Sequence, residues 1–142
     1  MIKKTSGNDA YYTIKWSRVI EYDKYSATRI IPELSGIVRL MHKKNNRYKD
    51  VLLYACWRDG CRVGLKKLMD DLVDQHNDIR EKLMEDDVYY CFTIIDTNPM
   101  DMQDIMYWLI KEYKPALNDI KNFDDSKRYR NINMKEENPP EI

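Results

Sequence analysis

At 142 residues the chain is long enough for one domain with a buried core and too short for two comfortable ones. Its 24 basic and 24 acidic residues cancel, so bulk charge points to no polyanionic partner, and no run approaches the roughly 20 apolar residues that a membrane span needs. No apolar leader follows Met1, and Cys56, Cys61 and Cys91 form no C-x-x-C pair; the expectation is a cytoplasmic protein with reduced thiols, no disulfide frame and no zinc set.

In chain order, Met1 to Ala10 is polar and expected to fray. Tyr12, Ile14, Trp16, Val19 and Ile20 then give a strand-like stretch that would add an edge strand or cover a sheet. Tyr11 and Tyr12 are of a type that stacks on bases, but in a chain with 11 tyrosines packing is the commoner role. Glu21 to Ser35 holds Tyr22, Tyr25, Ile30 and Ile31, too much apolar material for a disordered leader, and Pro32 keeps Ile31 out of helical geometry. Residues 1–33 are therefore expected to be an N-terminal extension packed on a domain at 34–129.

That domain opens with Gly36 to Met41 and Val51 to Trp57, two runs rich in β-branched, aromatic and large apolar residues, joined by the polar stretch His42 to Asp50 with Asn45-Asn46 at its centre. Asparagine tolerates positive φ, so this reads as a β-hairpin over 36–57. Leu65, Leu68, Met69, Leu72, Val73, His76, Ile79 and Leu83 recur at three- and four-residue steps, predicting one long helix over 63–86. Val88 to Ile95 is a continuous apolar run of strand length. Asn98 can cap a second helix, Pro99 suits its first turn, Ile105, Met106, Leu109, Ile110 and Tyr113 give its buried face, and Pro115 stops it. Residues 130–142 are expected to be a flexible tail.

Local charge says more than the total. Residues 39–69 hold nine basic and two acidic groups, whereas 70–104 hold two and eleven. The hairpin with the first turns of the helix is thus a basic island whose Lys43, Lys44, Arg47, Arg62, Lys66 and Lys67 are candidate phosphate contacts. Surface lysines also serve solubility, and opposite patches attract within a chain or between subunits. The series Asp70, Asp71, Asp74, Asp78, Glu81, Glu85, Asp86 and Asp87 reads as a solvated helix face rather than a metal site. His76 lies on the apolar stripe and is expected to be buried and hydrogen-bonded; His42 is expected to point into solvent.

The order hairpin, helix, strand, helix over about residues 34–120 resembles the GIY-YIG nuclease domain. Gly36-Ile37-Val38 corresponds to that family's first tripeptide, Tyr54-Ala55-Cys56 to its second, and Tyr113-Lys-Pro-Ala-Leu-Asn118 to its closing signal. The resemblance implies an α/β fold with a small, mainly antiparallel three-stranded sheet flanked by helices. It implies structural roles for Gly36, Pro115 and Asn118. In the family, a tyrosine, a helix arginine and a metal-holding glutamate hydrolyse a DNA phosphodiester with one divalent cation. Here Val38 stands at the first tyrosine, Cys56 at a glycine and Met106 at the glutamate; the arginine falls near Lys66 or Lys67, with Arg62 at the helix entrance. Hydrocarbon and thioether groups supply neither phenolic chemistry nor a hard anionic ligand.

The expectation is therefore a noncatalytic nucleic-acid-binding or interaction module, needing no cofactor, whose partner is DNA, another nucleic acid, a protein or a second copy, with no membrane. The alternative is an endonuclease using Mg²⁺ or Mn²⁺ with relocated groups, in which Tyr54 and Arg62 act and Glu112, Asp96 or Glu33 replaces the missing carboxylate. Tyr54 could equally be an internally bonded hydroxyl, and Arg62 a surface partner of Asp59 or a later carboxylate.

Overall fold

A computed structural model describes residues 1–70 and 78–142, among which lie two sheets and four helices. Strand β1 (Ile2–Ser6) turns through Gly7 and Asn8 into β2 (Asp9–Lys15), antiparallel to it, where Ala10, Tyr12 and Ile14 alternate inward. After β3 (Ile20–Glu21), the Asp23 side chain accepts the Tyr25 N–H at 3.1 Å and caps α1 (Lys24–Ile30). Pro32 follows at once, and Ile31 is extended (φ −79°, ψ 129°).

The hairpin is longer than its apolar arms. Strands β4 (Gly36–Lys44) and β5 (Arg47–Cys56) pair down to Lys44 and Arg47, and Asn45 and Asn46 both adopt positive φ (51° and 62°). Two left-handed residues in a row match the twist of the flanking strands, so this turn continues the ribbon without splaying it. A bulge between Leu40 and Met41 shifts the register, with Leu40 opposite Leu52 and Met41 opposite Asp50. Gly36 lies so close to its neighbour that an added Cβ would stand 2.2 Å from the Thr93 carbonyl oxygen.

Helix α2 (Gly60–Met69) starts at a glycine with φ +79°, beside the Glu33 carbonyl. The predicted helix over 63–86 does not hold: Asp70 is extended (φ −97°, ψ 112°), and α3 (Asp78–Leu83) is a separate short helix. Aspartate is a poor helix former, and Asp70 falls at the negative end of the α2 dipole, where a carboxylate is unfavourable. His76 lies outside the described residues. Strand β6 (Val88–Ile94) and α4 (Pro99–Tyr113) fall where the pattern places them, with the Asn98 side chain accepting the Asp101 N–H at 2.9 Å and Lys114 left-handed at the C-cap.

Two expectations at the ends of the chain are corrected. The polar N-terminus is strand β1, and the segment expected to be a loose tail carries β7 (Asn131–Glu137), parallel to β2 from Asp9↔Asn131 to Lys15↔Glu137. The single three-stranded sheet is corrected as well. Strands β5, β4 and β6 are adjacent and antiparallel, but β3 joins the edge of β6 to make four, and β1-β2-β7 form a second sheet. Both faces of the four-stranded sheet are covered. One meets α1, α2 and α3 through Ile31, Val38, Leu40, Leu65, Leu68 and Leu83; the other meets α4 and β2 through Ile37, Leu53, Tyr12, Trp16, Ile105 and Leu109.

Candidate nucleic-acid interface

Strand pairing itself creates a projecting tip. β6 accompanies β4 only as far as His42↔Val88, while β4 and β5 continue through Lys43↔Tyr48 and Lys44↔Arg47. Period-two alternation puts Lys43 with Tyr48 on one side of this ribbon and Lys44 with Arg47 on the other. The Lys43 Nζ stands 5.7 Å from the ring centroids of both Tyr48 and Tyr89, which themselves pack 5.6 Å apart. Lys43, Lys44, Arg47 and Lys49 are exposed, and among the described residues none has a carboxylate within 4.0 Å. Lys44 and Lys49 border a shallow groove of about 300 Å³ that also takes in Lys82, Glu85 and Asp86.

His42, expected in solvent, is buried: its Nε2 lies 2.7 Å from the Leu83 carbonyl oxygen and its Nδ1 3.9 Å from Asp86. The strand continues inward one residue further than the apolar arm suggests, and the ring ties β4 to α3.

The α2 cations are employed differently. The Arg62 Nε donates to the Ile31 carbonyl at 2.8 Å and its Nη1 to Glu33 at 2.9 Å, so this guanidinium closes the end of α1 and, among the described residues, pairs with neither Asp59 nor a later carboxylate. Lys67 pairs with Asp59 at 2.7 Å, both exposed, an ion pair of small energetic weight. Lys66 is exposed and lines a groove of about 310 Å³ with Tyr22, Lys24 and Tyr25. Arg47 stands at the start of β5 and Arg62 follows its end, a strand of roughly 30 Å. The six candidate cations are thus two groups, of which the hairpin-tip group is the one wholly unpaired among the described residues.

Positions corresponding to the nuclease residues do not converge. Val38 is fully buried beside Tyr54 on the α2 side of the sheet, whereas Met106 is buried on the α4 side. Tyr54 is half-buried against Gly64 of α2. Glu33, Asp96 and Glu112 are exposed on separate elements, and no group of three or more His, Cys, Asp or Glu suited to a metal occurs among the described residues. The buried Pro115 follows the left-handed Lys114, and Asn118 clasps Leu53 of β5, its Oδ1 accepting the N–H at 2.8 Å and its Nδ2 donating to the carbonyl at 3.0 Å. A hydrogen bond with Cys61 and burial push the Cys56 thiol up, and burial takes Cys91 up to about 12, away from nucleophilic behaviour.

Two buried polar networks escaped the sequence reading. Arg39, counted within the basic island, is inaccessible to solvent and forks onto Asp50 at 2.6 and 2.7 Å. Its guanidinium lies 4.1 Å from the Tyr113 ring centroid, 5.3 Å from that of Trp16 and 3.9 Å from Glu136. Burial and the Glu136 hydrogen bond take the Tyr113 hydroxyl up to about 12. At the start of α4, Asp101 accepts from Lys3 (2.7 Å), Tyr12 (2.8 Å) and Arg128 (2.9 Å), while Asp104 accepts from the Ser126 hydroxyl (2.8 Å) and Arg128 (2.9 Å). Inward charges at helical spacing were a possible clue, but their partners come from both ends of the chain.

A family model described as "Uncharacterised protein" matches residues 1–142, and the chain belongs to that family. No curated protein and no solved structure matches it.

Proposed function

We propose that the protein is a noncatalytic nucleic-acid-binding module on a GIY-YIG-like framework, with the β4–β5 tip as its binding surface. The observation that carries this reading is the exposed tip itself: Lys43, Lys44, Arg47 and Lys49 without a carboxylate partner among the described residues, next to Tyr48 and Tyr89. A two-stranded ribbon is narrow enough for a duplex major groove about 12 Å wide, and unpaired cations gain most from phosphates because no internal ion pair must be broken. The adjacent antiparallel strands β5, β4 and β6, with helices on both faces, support the framework part of the reading.

The test is a salt titration of fluorescence anisotropy on labelled duplex DNA, single-stranded DNA and RNA, comparing the natural chain with a Lys43→Gln, Lys44→Gln, Arg47→Gln variant. For every phosphate that the variant no longer neutralises, the slope of log affinity against log salt should fall by roughly 0.7–0.9. Equal affinity and slope in a folded variant would reject the tip as the interface.

A further inference from the structure

A second groove lies away from the hairpin, where α4 faces β7 and the start of β2, with a volume of about 660 Å³. Three aromatic side chains line it: Tyr11, which is 45 % exposed, and the half-buried Tyr107 and Trp108. Between them stand Lys111, Glu112, Arg130 and Asn133, all exposed.

These groups are not bonded to one another. Lys111 rests over the Tyr107 ring at 5.9 Å, and neither it nor Arg130 has a carboxylate within 4.0 Å among the described residues, although Glu112, Asp9 and Asp125 line the same groove. Asp9 is engaged with the Asn131 amide at 2.8 Å and Asp125 with Lys127 at 3.3 Å. Among the described residues the Asn133 side chain donates to the Ala10 carbonyl at 3.4 Å, and its own side-chain oxygen has no donor there. The groove therefore offers donors and acceptors side by side, over aromatic surface, with two cations against three carboxylates.

That combination restricts the ligand. A polyanion would meet net negative charge, and an apolar ligand would strand the charged side chains. A hydroxyl group both donates and accepts, so a neutral molecule carrying many of them satisfies guanidinium, ammonium, carboxylate and amide groups in alternation. Its C–H faces can lie on Tyr107 and Trp108, and the volume falls within the roughly 300–1,000 Å³ of small-molecule sites. We infer that this groove is a binding site for a neutral carbohydrate, independent of the hairpin tip.

The experiment is a ¹H–¹⁵N NMR titration of the full chain with maltose, cellobiose, lactose and chitobiose, each up to ~50 mM, where weak binding of about 1–10 mM is measurable. At least one of these sugars should saturate shifts at the Trp108 indole and around Asn133. Arg130→Ala, an exposed change with no internal side-chain partner among the described residues, should weaken that binding at least ~5-fold while leaving the melting temperature in place; Trp108→Ala should abolish it. The proposal is overturned if no sugar moves these signals, if the shifts map elsewhere, or if Arg130→Ala leaves the affinity unchanged. Saturation of the same signals by an extended peptide and by none of the sugars would overturn it too.

Discussion

Trp16 donates its indole N–H to the Glu136 carboxylate at 2.7 Å, across 120 positions of sequence. The same carboxylate accepts the Tyr113 hydroxyl and faces the buried Arg39, so one side chain of β7 serves Trp16 just past β2, Tyr113 of α4 and Arg39 of β4. Glu136→Ala should cost about 3 kcal/mol, since it leaves a buried guanidinium with Asp50 alone and orphans two donors. Glu136→Gln, which keeps an acceptor, should cost less. Urea unfolding followed by circular dichroism measures both, and equal midpoints for Glu136→Ala and the natural chain would show that Asp50 suffices.

Asp101 gives stability a defined acid limit. Burial raises its pKa, but hydrogen bonds from Lys3, Tyr12 and Arg128 outweigh that and bring it from 3.8 down to about 2. A carboxyl held lower in the folded state stabilises folding above its unfolded value, and the contribution disappears as pH falls from about 4 to about 2. The difference corresponds to roughly 2 kcal/mol. Asp101→Asn should lose about that much at neutral pH and show a flatter decline in acid; a parallel pH profile would contradict the assignment.

Arg62 and the tip cations should separate binding from stability. Arg62→Ala removes the hydrogen bond to Ile31 that closes α1 and should lower stability by about 1–2 kcal/mol. Because the guanidinium is already engaged, nucleic-acid affinity should hardly move. A variant that binds poorly yet unfolds like the natural chain would place Arg62 in the interface.

No cleavage of supercoiled, linear, single-stranded or branched DNA is expected with Mg²⁺ or Mn²⁺, because Val38 and Met106 are buried on opposite faces of the sheet. A time course would be compared with a Tyr54→Phe, Arg62→Ala variant shown to be folded. Metal-dependent cutting that disappears in that variant would require a relocated site.

The elements legible in the sequence are those whose apolar pattern is dense and local. β4, β5, β6 and α4 carry continuous or periodic apolar runs, and Asn98, Pro99 and Asn45-Asn46 mark their boundaries. β7 reads Asn-Ile-Asn-Met-Lys-Glu-Glu, which supplies two apolar residues, Ile132 and Met134, and owes its strand conformation to pairing with β2. Propensity cannot show a parallel partner more than a hundred residues away. The candidate site was legible in the same measure. The tip cations sit where hairpin geometry exposes them, but Arg39 and Arg62 look identical to Arg47 in a charge count, and only tertiary structure buries the first and ties the second to Ile31 and Glu33. The helical stripe through 63–86 misled because periodicity gives no weight to an aspartate, Asp70, at a helix C-terminus.

The placement of β2 between β1 and β7 has a kinetic consequence. During synthesis Ala10, Tyr12, Ile14 and Trp16 leave the ribosome more than a hundred residues before the strand that completes their sheet. Pairings of such sequence separation raise contact order and slow the final step of folding. Until then an apolar, half-paired edge is available to other chains, a hazard that grows with concentration. The four-stranded sheet can assemble first from its local hairpin, so refolding should show an early phase that forms most of the secondary structure and a late one in which Trp16 becomes enclosed.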